Sequence, residues 1–393
     1  MFKRTAKNGI SPLRALSASL SGTLGVGNIV GVAVAIIIGG AGAVFWIWAS
    51  ALISMVLKYC EITLGVRYRR RTQGRFEGGP MFYMRDGVGG KAGRACAFLF
   101  SLAGVVSSFA LGNIVQISAA CDSANIIFGA DKTVFAAVGA AVTALIIWGG
   151  FERISRVTSV VLPIISGIYL ALCVCAILLG HAFIPAVIKR IFSEAFAFDS
   201  AVGGIFGFLL SPNVLQGVAK GTFSHESGSG TAPIAHANAE TDLPSRQGLL
   251  GLFEVFADTV IICSLSAFVI LIAREQYVTD TNGMALVLAA FENGLGAWTK
   301  YVVGVSIVIF AYATTVCWAF YGKSCLAYLS HGEKAGRIYL LAYIAFAVIG
   351  ASLSQDTVWK TADTAVSLMT ATNMPALFLL RKKIREETEV IFP

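Results

Sequence analysis

The sequence predicts an all-α polytopic membrane protein, and three observations carry that expectation. First, 56% of its 393 residues are hydrophobic and only 13% are charged, whereas soluble domains average about 45–50% apolar and about 25% charged residues. A chain of this length with so few charges has too little polar surface to coat a water-soluble globule, so its excess apolar surface calls for lipid. Second, uninterrupted apolar stretches of roughly 20 residues, the length that crosses a bilayer, recur along the chain. Third, two of these stretches are broken by glycine- and serine-rich runs, five spans apart.

About ten spans emerge in order. The first runs from Pro12 to Ile38 and is broken midway by glycines, and the second covers Gly42 to Val66. The third spans Ala95 to Ile117, the fourth Val134 to Trp148 and the fifth Val157 to Leu179. The sixth begins near Ala201 and runs into the break at Ser224–Thr231. The seventh takes Leu249 to Ile272, the eighth Tyr301 to Leu329, the ninth Ile338 to Leu353 and the tenth Val358 to Leu380. Met284–Trp298 reads as an amphipathic helix across the outer face rather than a span.

The net charge of +8 would suit a nucleic-acid partner, but the cations sit in short segments between apolar spans, which is the footprint of topology. The densest basic run follows the second span, from Arg67 to Arg94. Arg153 and Arg156 follow the fourth span, Lys334 and Arg337 the eighth, and Arg381 to Arg385 the tenth. Alternate counting places both termini and these loops in the cytoplasm, with Lys189 and Arg190 a mild exception. The eight cysteines fall mostly inside or beside apolar spans without a CxxC pair and read as small packing residues. No signal peptide is evident: the basic opening leads into a segment too rich in Ser and Gly for a simple apolar core.

The two broken spans are each followed by a long unbroken helix. An odd number of spans per repeat inverts the second copy, so the chain reads as one domain over 1–393, with repeat one at about 12–180 and repeat two at about 200–380. Broken helices in such inverted repeats build a site at mid-membrane. The first break contains Gly25, Gly27 and Gly31 around Asn28. It mimics a dinucleotide fingerprint, but that motif needs a preceding strand, and here both flanks are helix-like and apolar. Close helix packing is an alternative, above all for Gly31. An unwound backbone frees carbonyls for a cation, and the following half-helix offers N–H groups to a carboxylate.

The second break runs from Phe223 to His236. An ordinary loop is one reading of it. His225-Glu226 lacks the HExxH spacing of a zinc site, since Ser229 stands where the second histidine belongs. Glu226 is a carboxylate near membrane depth, costly unless paired or functional; locking the unwound segment through backbone N–H groups is favoured over sensing a coupling ion. Lys58 and Glu61 sit three apart on the second span and Glu254 and Asp258 four apart on the seventh, each pair close enough to interact on one helix face. They read as structural glue or as groups near the cytoplasmic end. Gln116, Thr314 and Thr315 are polar islands in apolar helices, the threonines free to cap their own helices.

At these residues the chain resembles the alanine or glycine:cation symporter family, the sodium:alanine symporters. The matching stretches are Gly25-Val-Gly-Asn-Ile-Val-Gly-Val with Gly42 to Trp48, Glu77-Gly-Gly-Pro-Met-Phe-Tyr, Gly149-Gly-Phe-Glu-Arg-Ile, the run Phe223 to His236, and Tyr321-Gly. The resemblance implies a leucine-transporter-type fold of five plus five inverted spans in a bacterial or archaeal cytoplasmic membrane. It implies sodium-driven uptake of a small neutral amino acid, with Na+ as coupling ion, no organic cofactor and no enzyme activity. Family members usually carry a further helix before the broken first span, which this chain starts too late to contain.

Carried over by resemblance, the substrate set is Gly25, Val26, Gly27, Asn28, Gln116, Phe223, Ser224, Glu226 and Gly228. The substrate carboxylate would meet the backbone of Gly25 to Asn28, the ammonium would meet carbonyls near Phe223 and Ser224, and Phe223 would act as a lid. The sodium set is Leu24, Gly27, Thr314 and Thr315, hard oxygen ligands that suit the ion. The chain departs from the family at Val26 (commonly Thr), at His225 and Ser229 (commonly Asn and Leu), and at Lys323 (often Glu). His225 and Glu226 keep open the alternatives of proton coupling or another small solute on the same fold. A membrane enzyme or channel is disfavoured, for no nucleophile–base pair, metal spacing or repeated filter motif is present.

Overall fold

The computed structural model describes residues 10–72, 75–197, 211–276, 282–330, 332–351, 353 and 355–392. Among the described residues the chain is helical apart from one hairpin, Arg70–Thr72 against Arg75–Glu77 with Arg70 opposite Glu77, and an isolated bridge between Ile10 and Ala239. The basic opening and the start of the sixth span near Ala201 lie outside the described residues.

Among the described residues, five helices are long and apolar enough to cross a bilayer: Gly42–Arg67, Gly90–Phe128, Gly150–Leu179, Pro244–Glu275 and Thr299–Leu329. They correspond to the second, third, fifth, seventh and eighth expected spans. The fourth, ninth and tenth are the helices Lys132–Ile147, Glu333–Gly350 and Gln355–Leu379. Their outer surfaces explain the missing charge: Ile53, Leu145 and Leu179 are about 70% exposed, positions a water-soluble protein fills with polar groups. The third helix outruns its apolar window at both ends. Ser118 and Ser123 stop the window but not the helix, because both are buried and Ser123 Oγ donates to the Gly304 carbonyl at 3.0 Å.

The first span is split into Pro12–Thr23 and Val30–Gly39, joined by a tight turn at Val26–Asn28. Its start is capped by Ser11, whose hydroxyl accepts from the Arg14 N–H at 3.3 Å, with Pro12 in the first turn. The sixth is split into Pro212–His225 and Ala232–His236. Between them Glu226, Gly228 and Gly230 adopt φ values of 52°, 87° and 78°. Two of these positions are left-handed glycines; Glu226 holds a conformation that costs an ordinary residue about 1–2 kcal/mol, so its contacts must hold it there. Wide π-turns interrupt the third helix at Ala110–Ile114 and the seventh at Phe256–Cys263.

Among the described residues, helices outside this set include the C-terminal Arg381–Glu389 and two that bear on the sequence reading. Gly283–Leu295 matches the amphipathic segment expected at Met284–Trp298 and buries Met284, Leu286, Val287 and Phe291. Ile184–Ala195 carries the exceptional Lys189 and Arg190. Arg190 pairs with Glu194 at 2.5 Å and Glu275 at 2.8 Å, so local acids answer its charge.

The expected pairing within the second span does not form. Lys58 Nζ instead lies 3.5 Å from Glu254 Oε1 on the seventh span, both side chains at most 1% exposed. Spans two and seven pack face to face, and a partner across that interface outcompetes one along the helix. Glu254 also accepts from Ser19 Oγ at 3.0 Å, and its Oε2 lies 3.1 Å from His236 Nε2. Glu61 accepts from Asn373 Nδ2 at 2.6 Å on the tenth span.

Candidate functional site

The two breaks meet. Asn28 sits at the end of the first-span turn, where its Oδ1 accepts from the Gly25 N–H at 3.1 Å and closes the turn on itself. Its Nδ2 donates across to Ser224 Oγ and to Asp258 Oδ1, both at 2.6 Å. Ser224 in turn donates to Asp258 Oδ2 at 2.8 Å, and Thr259 donates to the same oxygen at 2.7 Å. One carboxylate thus ties the first and sixth spans to the seventh. All four side chains are buried, a setting in which a charge persists only with partners.

Two glycines let these helices approach. A Cβ on Gly25 would stand 2.7 Å from Thr314 Oγ1 and 2.9 Å from Gln116 Oε1. A Cβ on Gly27 would stand 2.7 Å from the Phe223 ring. No side chain fits at either place, which is the reason for glycine there. Gly31 behaves differently: its nearest neighbour would be Trp359 at 3.8 Å, an ordinary contact.

Gln116 lies at the first break, as expected. Its Oε1 accepts from the Val26 N–H at 3.2 Å, and its Nε2 donates to the Leu111 carbonyl at 3.3 Å within the π-turn. Phe223 is buried and packs on Trp359 with ring centroids 5.1 Å apart. Above the pair, Lys220 Nζ stands 4.6 Å from the Trp359 ring and 3.2 Å from Asp363 Oδ2.

The oxygen group around the eighth span differs in part from the expected one. Thr314 Oγ1 donates to the Ser21 carbonyl at 2.9 Å and reaches the Leu24 carbonyl at 3.5 Å. Ser21 therefore joins Leu24 beside Thr314, while Gly27 faces Phe223. Thr315 bonds its own helix at the Ala311 carbonyl, 2.9 Å away.

Glu226 and Gly228 turn away from the Asn28 cluster. Glu226 Oε1 accepts from Trp318 Nε1 at 3.0 Å, and Oε2 accepts from Thr231 Oγ1 at 2.7 Å. The carboxylate does bridge the unwound segment, but through side-chain donors rather than backbone N–H groups. Gly228 faces Thr370 and Met374 of the tenth span, and its carbonyl accepts from Asn373 Nδ2 at 3.0 Å. His225 Nδ1 accepts from the Ser227 N–H at 3.1 Å, and its Nε2 is buried without a hydrogen-bond partner among the described residues.

Sequence reasoning underrated Asp258 and missed Ser21, Trp318 and Trp359. Only Asp258 carried a signal, as an acid in the middle of an apolar span. The others are ordinary helix residues until the helices are packed.

The helical bundle with two broken spans meeting at a buried polar cluster has the architecture of a membrane-transporter fold. The crystal structure of MhsT in complex with L-phenylalanine has this fold: the two superpose with a TM-score of 0.72 at 15% identity, over 96% of this chain and 90% of that one. Residues 1–390 match the model of the sodium:alanine symporter family, and the chain belongs to that family. It is 35% identical over 390 residues to the sodium/alanine symporter AgcS of Methanococcus maripaludis, covering 98% of this chain and 85% of that protein. It is 38% identical over 397 residues to an uncharacterized transporter of Haemophilus influenzae, covering 100% and 86%.

Proposed function

We propose that the protein couples Na+ entry to uptake of a small neutral amino acid, alanine or glycine in size, by alternating access. The observation that carries the size limit is the approach of Phe223 to Gly27, within 2.7 Å of where a Cβ would sit. A ring that close leaves room beside the first break for a short side chain only. The substrate carboxylate binds the backbone of Gly25, Val26, Gly27 and Asn28, its ammonium binds carbonyls near Phe223 and Ser224, and Gln116 holds the break open. Glu226 and Gly228 shape the second break. Na+ travels as a co-substrate between Leu24, with Ser21 beside it, and Thr314; Thr315, whose hydroxyl bonds its own helix rather than the first break, and Gly27, which faces Phe223, have weaker claims.

The basic loops support a cytoplasmic location for both termini, in a bacterial or archaeal cytoplasmic membrane. The chain acts as one transport domain, with repeats at about 12–180 and 200–380. AgcS, named for sodium and alanine, supports the same substrate class here.

A second reading, proton coupling, draws on the unpartnered Nε2 of buried His225. One experiment separates the two: uptake of labelled alanine into proteoliposomes under an inward sodium gradient or an inward proton gradient alone. Steep sodium dependence, a flat proton response and competition by glycine and serine are expected. Uptake driven by the proton gradient alone would reverse the ion assignment, and no alanine uptake under either gradient would reverse the substrate assignment.

A further inference from the structure

A cavity of about 620 Å³ opens on the side of the basic loop, within the roughly 300–1,000 Å³ range of ligand pockets. It lies between the hairpin, the junction of spans four and five, the end of span eight, span nine and the inner half of span six. Among the described residues, none of the first span and none of the unwound stretch Glu226–Thr231 lines it, although Ile234 of the following half-helix does. Span eight explains the separation. Trp318 and Tyr321 are buried toward the breaks, whereas Phe320, Lys323, Ser324 and Ala327 face the cavity from another side of the same helix. The cavity is therefore distinct from the site between the breaks.

Its walls and its mouth differ in chemistry. Phe76, Phe82, Phe151, Phe320, Ile147 and Leu340 make the walls apolar. Arg70, Arg85 and Lys323 bring three cations to the lining against one carboxylate, Glu77. The two arginines share Asp86, at 3.0 and 2.9 Å. Lys323 is exposed and has no hydrogen-bond or ion-pair partner among the described residues.

We propose that this cavity binds an anionic phospholipid of the surrounding bilayer, with its phosphate at Lys323 and Arg70 and its upper acyl chains along the aromatic wall. Basic pockets between spans on the cytoplasmic side recognise anionic headgroups in this way. The apolar wall favours a lipid over a soluble anion, which would leave that wall uncovered. The surplus of positive charge favours an anionic over a zwitterionic headgroup.

The test is lipid retention by the purified full chain, read by native mass spectrometry with phosphatidylglycerol or phosphatidylcholine of identical chains. At least fivefold preferential retention of one phosphatidylglycerol is expected. Lys323→Glu should lower it about tenfold, and Ala327→Trp, which fills the cavity without changing charge, should abolish it. Lys382→Glu, an exposed charge on the C-terminal helix, should leave retention unchanged. Equal retention of the two lipids, or phosphatidylglycerol retention that survives both cavity variants, overturns the proposal. So does loss in the Lys382→Glu control, which would mark a general surface-charge effect, and so does displacement of the lipid by millimolar inorganic phosphate, which would mark a soluble-anion site. Should Lys323→Glu fail to fold, Ala327→Trp decides alone.

Discussion

Replacing Glu254 by glutamine tests whether the fold depends on the buried pair it forms with Lys58. At 3.5 Å and an effective dielectric of about 20, two unit charges attract by about 5 kcal/mol. Burying both ions costs several kcal/mol each, so the intact pair is close to neutral for stability. Removing one charge is different, because the other stays buried and uncompensated, a loss of about 3–5 kcal/mol. Ser19 and His236 bond different oxygens of Glu254, and glutamine keeps only one of them, so the loss includes one displaced hydrogen bond of about 1 kcal/mol as well as the charge. Lys58→Met removes the cation and retains most of the apolar stem. Each single variant should unfold at markedly lower temperature in detergent. The double variant should recover most of the loss, with a coupling of about 2 kcal/mol or more in the cycle. If Glu254→Gln melts with the parent, or if the two losses simply add, the pair is not what stabilises the interface of spans two and seven.

Three further outcomes concern the site. Asn28→Leu strips Asp258 and Ser224 of a donor, a charged hydrogen bond worth about 1.5–3 kcal/mol, and Gln116→Leu frees the Val26 N–H. Both variants should remain in the membrane and lose uptake, and normal transport by both would refute the site. Phe223→Ala should admit larger side chains, seen as new competition by leucine or phenylalanine; an unchanged competition profile would remove its role as a lid. Gly25→Ala drives a Cβ to 2.7 Å from Thr314 Oγ1. It should raise the sodium concentration needed for half-maximal uptake about tenfold or more, and an unchanged sodium dependence would detach Thr314 from the ion.

Eight of the expected spans were legible as single helices because each is a run of apolar residues, and the two breaks were legible because glycine and serine interrupt such runs. The partners of Lys58 and Glu61 were not. A single helix shows which residues share its face, but not which neighbouring helix that face meets. The π-turns were hidden for a related reason. Phe256–Cys263 is uniformly apolar around Asp258 and Thr259, so nothing in its composition reports the extra residue in the turn. That extra residue re-aims the side chains on either side, and a regular periodicity cannot place Asp258 against Asn28. Glu226 was half legible. Its bridging role followed from a carboxylate at membrane depth, whereas its donors, Thr231 and Trp318, required the packed eighth span.

The pairing of Lys58 with Glu254 also has a consequence for the order of synthesis. The cation leaves the ribosome nearly two hundred residues before its acid partner, and a lysine at the centre of an inserting helix costs roughly 2.5–3.5 kcal/mol on the translocon scale. The second span is apolar enough to enter the membrane despite that penalty, but until the seventh arrives its lysine lacks Glu254 and has only Glu61 of its own helix within reach. The first half of the chain released alone therefore lacks the partner that the packed fold gives this lysine across the interface of spans two and seven.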